Sequence, residues 1–155
     1  MGQTLKLIDL DASVPYAEGA EGFSGMKFSS GFAPPELIYC DAQTVCVRSP
    51  PFRKGFVSTT SLFVRGEGLN FELLPASPAH DLWSLGVILY CLCTNMTLFL
   101  STGDGNIEFE SDLRILAEWS DETKAIKLKK VQHPVARSLI AQLLSKDPAY
   151  CATLS

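Results

Sequence analysis

The chemistry-bearing residues of this chain are carboxylates and hydroxyls set at the edges of apolar segments. Asp9 follows the short, mainly apolar run Leu-Lys-Leu-Ile and opens a loop, a position from which a carboxylate can face a cleft; Asp11 stands two residues on. The plainer alternative is a strand-end aspartate followed by a solvated one. Ser24, Ser29 and Ser30 lie in a polar stretch. A phosphate on such a serine adds a charge of about −1.5 to −2 and can order a loop against arginine. Serines are also ordinary constituents of polar loops. Glu36 follows two prolines, and Asp81 precedes a long apolar run.

The five cysteines, Cys40, Cys46, Cys91, Cys93 and Cys151, are odd in number and form no Cys-x-x-Cys pair. A zinc site would want closer ligand pairs with histidines, and His80 and His133 sit near no such pair. Free thiols in a reduced cytosol or nucleus are the expectation.

The elements that would position these groups are legible in part. Residues 5–8 read as a short strand and residues 9–33 as an ordered loop. Pro34-Pro35 can open a short helix, because proline is tolerated in a first turn. Residues 44–47 and 61–64 carry β-branched and aromatic side chains, and Gly66-Glu67-Gly68 suits a hairpin turn between residues 62–65 and 69–73. Ser77-Pro78 is a helix start, with a serine cap and proline at the first position. Asp81 then falls in the first turn, where a carboxylate favours the helix dipole. The residues after it are apolar nearly all round, which predicts a central, buried helix. Residues 102–106 read as a loop. Residues 111–119 form an amphipathic helix with Leu113, Leu116 and Ala117 on one side. A last helix follows His133-Pro134, carries Val135, Leu139, Ile140, Leu143 and Leu144, and is ended by Asp147-Pro148.

Composition excludes several classes. With 155 residues, 46% of them hydrophobic, the chain is long enough for one domain and can bury a core. The net charge is −4, without a basic run, which argues against nucleic acid or an anionic membrane as partner. The longest apolar stretch, residues 82–93, is too short to span a bilayer. The first eleven residues hold no apolar run of signal-peptide length, so the cytoplasm or nucleus is expected.

Four segments in fixed order carry a resemblance: Lys6-Leu7-Ile8-Asp9-Leu10-Asp11, Ser29-Ser30-Gly31-Phe32-Ala33-Pro34-Pro35-Glu36, Asp81-Leu82-Trp83-Ser84-Leu85-Gly86-Val87, and Leu143-Leu144-Ser145-Lys146-Asp147-Pro148. Together they resemble the second half of a eukaryotic protein kinase domain. The resemblance implies that Asp9 holds the magnesium that bridges ATP phosphates, in a motif where Leu10 replaces phenylalanine and Asp11 replaces glycine. Pro34-Pro35-Glu36 stands where the family has Ala-Pro-Glu. Ser24, Ser29 and Ser30 become candidate phosphorylation sites in an activation segment. The family pairs this glutamate with an arginine whose position here is Cys151. A buried carboxylate without its partner can cost about 3–5 kcal/mol, so Glu36 is expected to find water, to titrate or to leave strain. Asp81, Trp83 and Gly86 correspond to scaffold positions of the family's central helix. The aspartate accepts hydrogen bonds from the catalytic loop, the tryptophan packs in the core and the glycine allows close approach.

The resemblance therefore implies a mainly α, protein-kinase-like C-terminal lobe, incomplete, with a short N-terminal strand and a β-hairpin insertion. Residues 1–39 would be the metal motif and activation segment, 40–76 the insertion and 77–155 the helical lobe. ATP and Mg2+ are the implied cofactors and protein serine or threonine the implied substrate. The 155 residues contain no Gly-rich loop, no Val-Ala-Ile-Lys-like strand and no His-Arg-Asp loop. The chain by itself is predicted to be inactive, to bind ATP weakly, and to need the missing N-terminal kinase half as a partner. Without it, the faces of the central helix bearing Trp83, Val87 and Tyr90 are expected to lie uncovered. A truncated pseudokinase that binds a partner protein is the alternative, and a shortened product without a role is a third.

Overall fold

The computed structural model describes residue 13 and residues 29–48 and 71–147. Over these residues the fold is mainly α, with one small sheet.

Three of the four helices described start where a side chain accepts from a free first-turn amide. Helix α1 (Pro78–Thr94) begins at Ser77, whose Oγ accepts from the Ala79 N–H at 3.3 Å, with Pro78 at the first position. It stops at Asn95, which adopts a left-handed conformation (φ 53°) and returns its N–H to the Cys91 carbonyl at 2.8 Å. Helix α2 (Glu110–Ala117) has no side-chain cap, but Glu110 and Asp112 lie in its first turn and Glu110 pairs with Arg114 at 2.8 Å. Helix α3 (Asp121–Leu128) is capped by Ser120, whose Oγ accepts from Thr123 N–H at 3.2 Å. Helix α4 (Pro134–Leu143) is capped by His133, whose Nδ1 accepts from Ala136 N–H at 3.3 Å.

Strands β1 (Ile38–Cys40) and β2 (Val45–Val47) pair antiparallel, Ile38 opposite Val47 and Cys40 opposite Val45. Asp41 builds the turn between them. Its Oδ1 accepts from Gln43 N–H at 2.8 Å and Thr44 N–H at 2.6 Å, and its Oδ2 accepts from the Tyr39 hydroxyl at 2.7 Å. Two single 3-10 turns, Ser30–Phe32 and Pro35–Leu37, precede the sheet.

One core joins these pieces. Helix α1 turns Trp83, Gly86, Val87 and Tyr90 inward, and α4 meets it with Ile140, Leu143 and Leu144. Trp119, just past α2, lies edge-on to Trp83 (5.4 Å between ring centroids) and to Phe99 (6.0 Å). Its indole N–H donates to the Leu144 carbonyl at 2.9 Å, which ties the loop after α2 to the end of α4. Ala33, Leu37 and Ile38 close the same core from the other side.

Several expectations need correction. The central helix is not buried on every side: Leu85, Ile88 and Leu92 are 44%, 45% and 76% exposed. The residues expected to lie uncovered, Trp83, Val87 and Tyr90, are its buried ones, because α4 and the Trp119 loop cover that face. The amphipathic helix ends at Ala117, so Trp119 is loop. The last helix ends at Leu143, before Asp147. Helix α3 was not anticipated. Of the proposed hairpin, residues 62–65 lie outside the described residues and residues 71–73 are not strand; the hairpin observed is that of β1 and β2.

Candidate functional site

The segment from Ser29 to Glu36 is clamped between α1 and the loop at residues 102–106. Ser29 Oγ donates to the Asp104 carbonyl at 2.7 Å. Ser30 N–H donates to Asn106 Oδ1 at 3.0 Å, and Ser30 Oγ accepts from Ile107 N–H at 2.8 Å while lying 3.4 Å from Asn106 Oδ1. Gly31 N–H donates to the Gly105 carbonyl at 3.1 Å. That approach needs glycine at position 31, since a Cβ there would fall 2.5 Å from the Gly105 oxygen. The 102–106 loop is itself braced. Thr102 Oγ1 bonds the Asp104 carboxylate, Asn106 Nδ2 donates to the other Asp104 oxygen at 3.2 Å, and Gly105 supplies a positive φ of 81°. Of the candidate phosphorylation sites, Ser30 is buried and spends its hydroxyl on this junction, Ser29 is half-buried at its rim, and Ser24 lies outside the described residues.

Two contacts hold the same segment on α1. Ser84 Oγ donates to the Phe32 carbonyl at 3.0 Å. Glu36 Oε1 lies 3.4 Å from His80 Nε2, with the two side chains 28% and 14% exposed. Burial raises the Glu36 carboxyl above its ordinary 4.5, against a smaller opposing pull from a backbone hydrogen bond. Burial lowers the His80 imidazole below its ordinary 6.5, and the charge of Asp81 offsets part of that. Both groups are thus biased toward their neutral forms. At 3.4 Å the contact is long for a hydrogen bond.

The remaining sequence-derived positions divide clearly. Asp81 is exposed in the first turn of α1. Trp83 is buried against Trp119, and its indole N–H has no hydrogen-bond partner. Gly86 lies against Leu143 and Leu144 on α4. Asp9, Leu10, Asp11 and Cys151 lie outside the described residues. Among the described residues no three His, Cys, Asp or Glu side chains converge to hold a metal, and no helix is long and apolar enough to cross a membrane. What this part of the molecule does is positional: it fixes one loop segment between α1 and the 102–106 loop. Sequence reasoning missed Asn106 and His80 as members of that arrangement. Asn106 gave no signal beyond its place in a loop, and His80 only its place beside Asp81.

Comparison with known proteins gives one relationship. The chain is 32% identical over 113 residues to a protein of Dictyostelium discoideum named as a probable serine/threonine-protein kinase. The match covers 73% of this chain and 19% of that protein, so the chain spans about a fifth of its relative's length. No family model matches the chain. No solved structure matches it either.

Proposed function

We propose that this chain is part of a protein kinase domain of the serine/threonine class, contributing a kinase-like C-terminal lobe and the end of an activation segment. The observation that carries this reading is the identity to a probable serine/threonine kinase over 113 residues. The packing of α1 on α4 through Gly86, and the attachment of the Ser29–Glu36 segment to α1 at Ser84 and His80, support it. In this reading residues 1–39 hold the metal motif and activation segment, residues 40–76 an insertion and residues 77–155 the lobe. ATP and Mg2+ are the cofactors, with Asp9 as the carboxylate toward the metal, and the partner is a protein in the cytoplasm or nucleus. A lone carboxylate holds Mg2+ weakly, because the ion gives up its water shell reluctantly. Phosphotransfer further needs a phosphate-binding lysine and a hydroxyl-orienting aspartate, and no segment of these 155 residues supplies them in the family's pattern. The 155-residue polypeptide is therefore inactive alone.

A second reading, a pseudokinase that serves as an interaction module, is favoured by one feature, the exposed Leu85, Ile88 and Leu92 on α1. Labelled ATP, Mg2+ and a generic protein substrate separate the two. The chain alone should incorporate nothing above an Asp9→Ala control. The same chain fused behind a segment carrying a Gly-rich loop, the lysine strand and a His-Arg-Asp loop should label serine or threonine in an Asp9-dependent way. A fusion that stays silent while the chain remains folded favours the interaction module.

A further inference from the structure

We propose that the corner between α3 and α4 is a docking surface for an acidic segment of a partner protein, with Lys129, Lys130 and Arg137 as its cations and Ile126 and Met96 as its apolar contacts. This surface is independent of the kinase reading.

Charge is segregated along the chain. Residues 123–146 hold six of the 13 lysines and arginines and none of the 17 aspartates and glutamates. Two of the six are spent inside the fold. Lys124 pairs with Asp121 at 2.8 Å, and Lys127 Nζ donates to the Leu98 carbonyl at 2.8 Å while lying 4.3 Å from the centre of the Phe99 ring. Lys129, Lys130 and Arg137 are exposed, and none of them pairs with a carboxylate among the described residues. Arg137 is fixed at the same corner: its Nε donates to the carbonyl of Val131, the residue after Lys130, at 2.8 Å. Ile126 lies on the exposed face of α3, one turn before Lys129 and Lys130. Lys130 Nζ is 3.8 Å from Sδ of the half-exposed Met96.

Helix electrostatics accounts for only part of this layout. Lys129 and Lys130 follow the last turn of α3, where cations favour the dipole. Arg137 does the reverse, standing near the start of α4, whose first turn has no acidic residue to offset it. Its Nε bond braces the loop and leaves both Nη groups without a protein acceptor among the described residues, so they can fork onto a carboxylate.

The surroundings select a peptide over an anionic membrane. Glu122 stands one turn before Ile126 on the exposed face of α3, and residues 104–122 carry seven of the acidic groups. A flat anionic bilayer would meet these as well. A peptide can lie along the corner alone, its carboxylates at Lys129, Lys130 and Arg137 and its apolar residue at Ile126 and Met96.

Fluorescence anisotropy of the 155-residue chain with a labelled Glu-Glu-Leu-Glu-Glu peptide tests the surface. The wild type should bind at low salt and release the peptide as salt rises. It should bind Gln-Gln-Leu-Gln-Gln about tenfold more weakly, as three exposed ion pairs imply. Lys129→Gln with Lys130→Gln, and separately Arg137→Gln, should weaken binding by about two- to fivefold per charge removed. Lys146→Gln, which removes an equal charge past the far end of α4, should leave it level. Peptide-induced amide shifts should cluster at residues 96, 126–132 and 137, and phosphatidylserine vesicles should not sediment the chain. The proposal is overturned by no binding at low salt, by equal affinity for the glutamine peptide, or by a loss in Lys146→Gln that matches the others per charge. Shifts centred elsewhere, or vesicle sedimentation that depends on the same lysines, overturn it too. Should Arg137→Gln fail to fold, the double lysine variant decides alone.

Discussion

Gly86 on α1 lies so close to α4 that a Cβ added to it would fall 2.8 Å from the Cβ of Leu143 and 3.0 Å from Leu144 Cδ2. The Leu144 atom is the end of a side chain and can turn away; the Leu143 Cβ is fixed to its backbone. Gly86→Ala therefore sets two effects against each other. Alanine is favoured over glycine inside a helix by about 1 kcal/mol. Overpacking a close helix contact costs about 1–3 kcal/mol. Since α1 and α4 must separate to admit the methyl group, the steric effect wins. Gly86→Ala should lower the unfolding free energy in urea by about 1 kcal/mol, and Gly86→Val by more. A gain in stability with alanine would mean that the helices separate freely.

The two tryptophans of the core should respond differently to the same change. Trp119 donates a buried hydrogen bond to the Leu144 carbonyl, so Trp119→Phe loses ring volume and leaves that carbonyl without its donor. Trp83 has no acceptor for its buried N–H, so Trp83→Phe loses ring volume but also removes an unsatisfied donor. An unsatisfied buried group costs about 1–3 kcal/mol. Trp119→Phe should be the more destabilising by about that amount in matched urea titrations. Equal losses would place a partner on the Trp83 indole.

How much of this was legible in the sequence depended on how local the cause is. The start of α1 could be read from Ser77-Pro78, and the start of α4 from His133-Pro134, because a cap and a first-turn proline act within one turn. Which face of α1 turns inward could not be read, because Leu82, Leu85, Val87, Ile88 and Leu89 are apolar on every side; the choice was made by α4 and Trp119. Helix α3 escaped notice because its apolar residues are few and one of them, Ile126, is 57% exposed. The β1–β2 turn is Asp-Ala-Gln-Thr, which lacks the glycine that marks a tight hairpin, and Asp41 supplies the order instead. At the site, the Ser30 hydroxyl is fixed by a backbone amide 77 positions away, a partnership that no local pattern encodes.

Asp41 gives the hairpin its own pH dependence. The Tyr39 hydroxyl and the Gln43 and Thr44 amides hold its carboxyl below the ordinary 3.8. A depressed carboxyl adds stability above the unfolded value, and that stability is lost as pH falls through the lowered one. The wild type should thus lose hairpin order below about pH 3.8, followed by the chemical shifts of Val45 and Val47. In Asp41→Asn the part of this acid step due to Asp41 should vanish. An unchanged acid step would assign it to other carboxylates.

Ser30 and Ser29 make opposite predictions for a negative charge. Ser30 is 5% exposed and its Oγ accepts from the buried Ile107 amide, so Ser30→Ala should cost about 1–3 kcal/mol and Ser30→Glu more, since an extra charge would enter the core. Ser29 donates to Asp104 at an exposed edge, so Ser29→Glu should cost less than Ser30→Ala. Melting curves of the three variants give the order. A well-tolerated Ser30→Glu would show that the segment opens easily, and Ser30 would then be as open to a modifying enzyme as Ser29.

The exposed side of α1 sets the behaviour of the free chain. Leu85, Ile88 and Leu92 recur at helical spacing and are 44%, 45% and 76% exposed, so they form one stripe rather than scattered single residues. Contiguous apolar surface beyond a few hundred Å2 drives association. These side chains contribute little to the buried core, because the opposite face of the helix carries Trp83, Val87 and Tyr90. Association and folding should therefore respond separately. Light scattering of the wild type should show concentration-dependent oligomers. The double variant Ile88→Lys, Leu92→Lys should be monomeric at the same concentration, with its unfolding free energy changed by no more than about 0.5 kcal/mol, as expected for surface positions. A wild type that remains a monomer throughout would show that the stripe is too small to drive association. A double variant that unfolds would show instead that the stripe is packed in solution, and the helix would then be covered on both faces as its composition predicts.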